Sequence, residues 1–409
     1  MTATRRGPPL TLLVLATALA PAALHMLVPA LPLLAIVFER SQAEAQLVLT
    51  LFLVGLAVGQ LVYGPISDRF GRRPVLLAGI VLFFGGTVLC GVAWSLPVLI
   101  VGRTLEAAGG CAGMVLGRAI IRDVFDREHS ASALATIMMA MSLAPSISPA
   151  VGAYLAEWAG WRADFALLAV LGAAVLALAA ARLEETHRPA ARLDLAGMLG
   201  ACVVLVRSPG FLGFAAASAF TSASWFSFTA IAPYLLTQIL HEPLSTYGLM
   251  ILWPMAAYIL GSAIAARLTV RFGIAAMFVA GLAVSLGSGV LLALWVLWFG
   301  LGAWAMFIPM ALSSIGNGMS QPAAMAAGLS VYPRLAGTAS GLMGFLQMSA
   351  AALGTVAVGL LPQGGGLWMI AVVGAALALA LLCGLVALGA PALPAQEHLR
   401  LAFGPENEG

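Results

Sequence analysis

Apolar runs of about 20 residues follow one another almost without a break from Leu10 to Gly389, and they limit this chain to very few kinds of fold. A helical run of that length crosses the ~30 Å hydrocarbon core of a bilayer. Hydrophobic residues make up 62% of the 409 and charged residues only 9%, where a soluble domain carries about 25% charged. So few charges cannot cover a surface in water, and most of the chain is expected in lipid.

Cutting the runs at charge clusters and turn residues predicts twelve spans: 10–38, 44–66, 73–93, 97–121, 130–157 and 161–182, then 211–239, 244–266, 272–294, 298–321, 335–361 and 365–389. The expected fold class is an all-α membrane protein of two six-helix halves, 1–182 and 211–390. A polar linker at 183–210 joins them and a tail at 391–409 follows. The first run is too long for the apolar region of a signal peptide, about 7 to 15 residues. Within the linker, the stretch from Leu193 to Val206 reads as a short interfacial helix.

The chain has no lysine, so its cations are 19 arginines. With an inside N-terminus, sixteen of them fall on or near the cytoplasmic face, Arg40 and Arg162 fall outside, and Arg103 is left within a span. Lys and Arg accumulate in short cytoplasmic loops, so both termini are expected in the cytoplasm. No basic patch for nucleic acid is present. Cys90, Cys111, Cys202 and Cys383 are scattered and fit neither a disulfide framework nor a zinc spacing. There is no phosphate-binding Gly-x-x-x-x-Gly-Lys loop, no HExxH and no Gly-x-Ser-x-Gly. These absences point away from an enzyme, a metal site or a cofactor, and toward transport driven by a gradient.

Internal repetition supports that reading. Sliding the chain by 202 residues lays Arg69-Phe70-Gly71 over Arg271-Phe272-Gly273, each after the second span of its half, and repeated halves build many secondary transporters. The first of these loops reads Gly64-Pro65-Ile66-Ser67-Asp68-Arg69-Phe70-Gly71-Arg72-Arg73-Pro74. Its glycines are expected to permit a tight reversal, and an acid among arginines can form charge-assisted bonds that lock one conformation.

This loop resembles the signature between the second and third helices of the major facilitator superfamily. More of the first half is similar to the Bcr/CflA group of drug:proton antiporters: Val28-Pro29-Ala30-Leu31-Pro32, Gly59-Gln60-Leu61-Val62-Tyr63, Gly102 to Gly109, and Gly117 to Asp123. In span five, Ser148-Pro149-Ala150-Val151-Gly152 resembles an exporter-associated motif, in which Pro145, Pro149 and Gly152 are the marked positions. The resemblance implies the superfamily fold, the bacterial cytoplasmic (inner) membrane, a monomer, a small-molecule substrate and protons as the coupling ion. It also implies a conformational gate of Gly64, Asp68, Arg69, Gly71, Arg72 and Arg73, joined by Arg118, Arg122, Asp123 and Asp126.

Three positions depart from the group. His25 stands where an aspartate is common before the Pro-x-x-Pro, Glu106 replaces a glutamine, and Asp164 replaces an apolar residue. Ionisable groups deep in a bilayer usually face a cavity or a partner. Arg103 and Glu106 share one face of span four, so they and His25 are expected to line a central cavity, with Glu106 or His25 carrying the coupling proton. A structural Arg103–Glu106 pair and a hydrogen-bonded His25 are the competing readings. Asp164 is expected at the outer rim beside Arg162. In the second half the cavity candidates are Trp225, Phe228, Tyr258, Asn317 and Gln347, with Phe226, Tyr234, Trp253 and Gln321 as further possibilities. The expected function is proton-coupled efflux of small amphipathic compounds by alternating access. The alternative is a dedicated exporter or importer of one endogenous metabolite, anionic if Arg103 binds it.

Overall fold

The computed structural model describes residues 9–124, 127–186, 195–361 and 366–390. Arg5, Arg6, Asp126, the linker residues 187–194 and the tail at 391–409 lie outside them. The described residues are helical with no strand, and they fall into two units, Met1–Leu193 and Asp194–Gly409.

In the first unit the helices are α1 (Leu10–Met26), α2 (Leu31–Val37), α3 (Gln42–Phe70), α4 (Arg72–Gly91), α5 (Leu96–Val124), α6 (Arg127–Ala159) and α7 (Arg162–Arg182). The second holds α8 (Leu195–Arg207), α9 (Pro209–Tyr234), α10 (Leu244–Met250), α11 (Leu252–Phe272), α12 (Ile274–Phe299), α13 (Ala303–Val331), α14 (Ala336–Leu360) and α15 (Leu367–Gly389). Among the described residues, eleven helical stretches are long and apolar enough to cross a membrane. The 29-residue α13 is not among them; Ser313, Ser314, Asn317, Ser320 and Gln321 dilute its apolar character.

Local chemistry explains the main boundaries. Proline breaks the first span, because Pro29 and Pro32 open a 3₁₀ turn at Val28–Ala30 and then α2. A reciprocal capping box starts α3: Ser41 Oγ accepts from the Glu44 N–H, and the Glu44 carboxylate accepts from the Ser41 N–H. The turn after α3 is made by Gly71 at φ +93°, and its counterpart after α11 by Gly273 at φ +85°, a region where a Cβ is strained. Gly64, expected to help this reversal, lies instead inside α3.

The two units repeat one packing scheme. In the first, α5 packs on α3 and α4, α1 on α5 and α6, and α4 on α7; in the second, α13 packs on α11 and α12, α9 on α13 and α14, and α12 on α15. The short helix α8 covers part of the linker stretch read as interfacial, and it packs on α9 and α14 of the second unit. The cysteines are free, and Cys90 and Cys111 are buried against the Leu99 and Leu56 carbonyls. Exposed tryptophans collect at the helix ends away from the arginine-rich turns: Trp94 and Trp158 in the first unit, and Trp253, Trp298, Trp304 and Trp368 in the second. Tryptophan favours the membrane interface.

Candidate functional site

Burying a charge in hydrocarbon requires a partner, and Arg103 of α5 has several. Its Nη1 donates to Glu106 Oε2 at 2.6 Å and to the Ala23 carbonyl at 3.2 Å. Ala23 is in the last turn of α1, where carbonyls lack helical partners and the helix dipole is negative. The guanidinium also lies 4.0 Å from the Phe52 ring centroid and 5.9 Å from that of Phe165. Glu106 Oε1 accepts from Thr87 Oγ1 of α4 at 2.8 Å. Arg103 is 1% exposed and Glu106 is fully buried, so both lie inside the first unit. The crevice beside them, lined by Leu24, Leu27, Leu31, Val48, Leu49 and Arg103, is closed to water.

His25 ends α1 two residues from Ala23 and is 8% exposed. Its Nδ1 donates to the Pro21 carbonyl at 3.0 Å. Gly152 brings the α6 backbone directly onto the Met26 carbonyl, so the span-five motif closes against the helix end that holds His25. Pro145 and Pro149 lie in the same helix, about two turns and one turn before it.

Asp164 departs from its expected place at the rim, for its side chain is completely buried. The neighbouring arginine explains the difference. Arg162 turns to the Ala93 carbonyl, with Nη2 at 2.8 Å, and stacks on Trp161 at 4.2 Å, leaving Asp164 to point inward. Neither of its oxygens has a hydrogen-bond partner among the described residues.

At the opposite end of the unit the loop residues meet around Arg72, which is 7% exposed. Its side chain forms an ion pair with Asp68 Oδ1 at 2.6 Å and donates to Asp123 Oδ2 at 2.9 Å and to Ser67 Oγ at 2.5 Å. The N–H groups of Arg72 and Arg73 open α4 without a side-chain cap from Gly71, and the Glu185 carboxylate bonds both, at 2.8 and 3.2 Å. Arg73 also reaches the Ala180 carbonyl. Arg69 lies over Phe70 at 5.1 Å, Arg118 donates to the Met114 carbonyl, and Arg122 is exposed. Sequence reasoning missed Glu185; the signal was an acid pair, Glu184-Glu185, directly after span six.

In the second unit Gln347 of α14 meets Gln321 of α13 and Ser218 of α9. Gln347 Nε2 donates to Ser218 Oγ at 2.5 Å and to Gln321 Oε1 at 3.3 Å, while Gln321 Nε2 donates to Thr221 Oγ1 at 2.8 Å. Asn317 lies one turn before Gln321, buried, with no hydrogen bond to its Oδ1 among the described residues. Phe228 packs edge-on against Phe307 at 5.2 Å and beside Trp225 at 6.3 Å. Tyr258 is half-buried on α11, where its backbone carbonyl closes against Gly318 of α13, next to Asn317.

The sequence was compared with known proteins. The family model described as Major Facilitator Superfamily matches residues 13–355. Multidrug resistance protein D of Escherichia coli (strain K12) is 31% identical, over 87% of this chain and 89% of that one. A bicyclomycin resistance protein homolog of Haemophilus influenzae is 28% identical, over 82% and 84%. Among solved structures, a peptide transporter POT in complex with sulfate superposes with a TM-score of 0.76 at 15% identity, covering 93% of this chain and 94% of that one. At that identity the likeness concerns the fold alone.

Proposed function

The chain belongs to the Major Facilitator Superfamily, and on that premise we propose that it is a proton-coupled exporter of small amphipathic compounds working by alternating access. That it is a multi-pass membrane transporter of small molecules follows from the family and from its apolar helices. The observation that carries the finer reading is the Arg103–Glu106 pair with His25 nearby, ionisable groups placed where a bilayer makes them costly. Similarity to two resistance proteins across more than four fifths of the chain favours drugs as substrates.

In this reading the buried ionisable groups of the first unit, Glu106 and His25 among them, take part in the proton coupling. Trp225, Phe228, Tyr258, Asn317 and Gln347 contribute aromatic and amide contacts to the compound. Arg72 with Asp68 and Asp123 holds one conformation at the arginine-rich end. The arginine distribution and the tryptophans at the opposite helix ends favour cytoplasmic termini and the bacterial inner membrane. The protein acts as a monomer.

Inverted membrane vesicles exposed to a compound panel that includes bicyclomycin test the proposal. A pH gradient should drive accumulation of at least one compound, and collapsing the gradient should abolish it. Accumulation that ignores the gradient sinks the coupling. No accumulation of any drug, together with a single changed metabolite in cells overproducing the protein, moves the assignment to a dedicated metabolite transporter.

A further inference from the structure

Away from the Arg72 cluster, the described residues of the first unit bury two carboxyls, Glu106 and Asp164, with one arginine, Arg103, and this imbalance bears on the proton-coupled reading above, on which the inference rests. Glu106 is fully committed: Oε2 to Arg103 Nη1 and Oε1 to Thr87 Oγ1. It is the direct hydrogen-bonded partner of Arg103. Asp164 is equally buried, yet both of its oxygens are without a hydrogen-bond partner among the described residues.

The elements packed against α7 are α1, α4 and α6. Their described titratable and charged groups are His25 on α1, Arg72, Arg73 and Cys90 on α4, and Tyr154 and Glu157 on α6. With α5 next to them come Arg103 and Glu106, and on α7 itself Arg162 and Arg182. Of all these, the Arg103 guanidinium is placed beside the residue next to Asp164: the ring of Phe165 lies 5.9 Å from it. Arg162 is turned away to Ala93 and Trp161. Arg103 cannot neutralise both acids, because it carries one positive charge and Glu106 already balances it at Nη1. An ionised carboxylate left unpaired in hydrocarbon takes up a proton instead.

We propose that Asp164 is the carboxyl that holds the exchangeable proton in this conformation, while Glu106 remains the fixed, ionised partner of Arg103. The trio is then neutral: one guanidinium, one carboxylate and one carboxylic acid. Release breaks the Asp164 O–H bond, passes H⁺ to water on the open side and leaves a net charge of −1. Arg103 Nε, which has no partner among the described residues, is the donor available to that new carboxylate, and a cationic substrate would balance the charge.

Infrared spectroscopy of the full-length protein in an ester-free detergent at pH 7 tests this directly, because a protonated carboxyl then has its own C=O stretching band. Surface acids are ionised at that pH. The band should be present in the wild type and absent in Asp164→Asn, and Glu106→Gln, which frees the Arg103 charge to pair with Asp164, should remove it as well. Asp164→Glu, which keeps the acid, should restore a band at a shifted frequency and guards against an Asn variant that misfolds. A band that survives Asp164→Asn in folded protein, or that disappears only in Glu106→Gln, overturns the assignment. In vesicles, Asp164→Asn should lose pH-driven accumulation of whichever panel compound the wild type accumulates. Wild-type accumulation that ignores the gradient would instead remove the coupling reading itself, whatever the spectra show.

Discussion

The Glu185 carboxylate, at the end of the first unit, bonds the backbone N–H of Arg72 at 2.8 Å across 113 residues of sequence. A second bond to the Arg73 N–H makes it the missing cap of α4, whose own N-cap, Gly71, has no side chain to offer. An anion at a helix N-terminus also gains from the dipole. Span six is thereby fastened to the loop between spans two and three.

Removing that cap should weaken the fastening without disturbing the core. Glu185→Ala is expected to destabilise the protein by roughly 0.5–1 kcal/mol, the lower part of the range for lost caps, because the side chain is exposed to solvent. Thermal unfolding in detergent, followed by tryptophan fluorescence, would register it, and Glu185→Asp should recover part of the loss. A shorter acid that recovers nothing would argue against the cap.

The two acids on Arg72 are not equivalent. Asp68 is 52% exposed on its side chain and Asp123 only 22%. An exposed ion pair contributes about 0–1 kcal/mol, whereas a hydrogen bond to a charged group shielded from water is worth about 1.5–3 kcal/mol. Asp123→Asn should therefore reduce both stability and transport rate more than Asp68→Asn. Equal losses would show that conformational locking, rather than static pairing, sets the effect of Asp68.

Breaking the Arg103–Glu106 pair from one side leaves a buried charge, at a cost of about 3–5 kcal/mol. Glu106→Gln alone and Arg103→Met alone should both unfold at markedly lower temperature. The double variant, with no uncompensated charge at this pair, should regain most of the stability and none of the gradient-driven transport. A double variant as unstable as either single one would mean that Arg103 matters mainly through the Ala23 carbonyl and the Phe52 ring.

Gly152 and Gly64 should respond in opposite directions to the same change. A Cβ on Gly152 would collide with the Met26 carbonyl, while a Cβ on Gly64 meets nothing within 4 Å. Gly152→Ala is expected to cost about 1–3 kcal/mol by overpacking. Gly64→Ala, inside a helix, is expected to be neutral or to gain about 0.5–1 kcal/mol. The same thermal unfolding assay separates them.

Much of the fold was legible because a bilayer simplifies the code: long apolar runs mark helices, and arginines mark their ends. The repeat was visible in three residues, Arg69-Phe70-Gly71 against Arg271-Phe272-Gly273, and the structure gives both glycines nearly the same positive φ. The pairing of Arg103 with Glu106 could be read from their spacing on α5. Thr87, Phe52 and Ala23 could not, because their contacts with the pair depend on how α4, α3 and α1 pack against α5. Asp164 was misplaced for a related reason: proximity to Arg162 in sequence suggests a solvated pair, but the arginine found a carbonyl and an indole instead. Glu185 was hidden by its position in a polar stretch that reads as a connection.

The two matching turns differ in what surrounds them. At the second, Val270 stands 91% exposed where the first has Asp68, and Ile274 takes the place of Arg72. The bend at Gly273 asks only for a residue that tolerates φ +85°, so its flanking positions are free to drift one at a time. At Gly71 the same bend is wired to α5 through Asp123 and to the end of α7 through Glu185. A change there is felt by three segments at once, so the effects of substitutions at Arg72, Asp123 and Glu185 are coupled to one another.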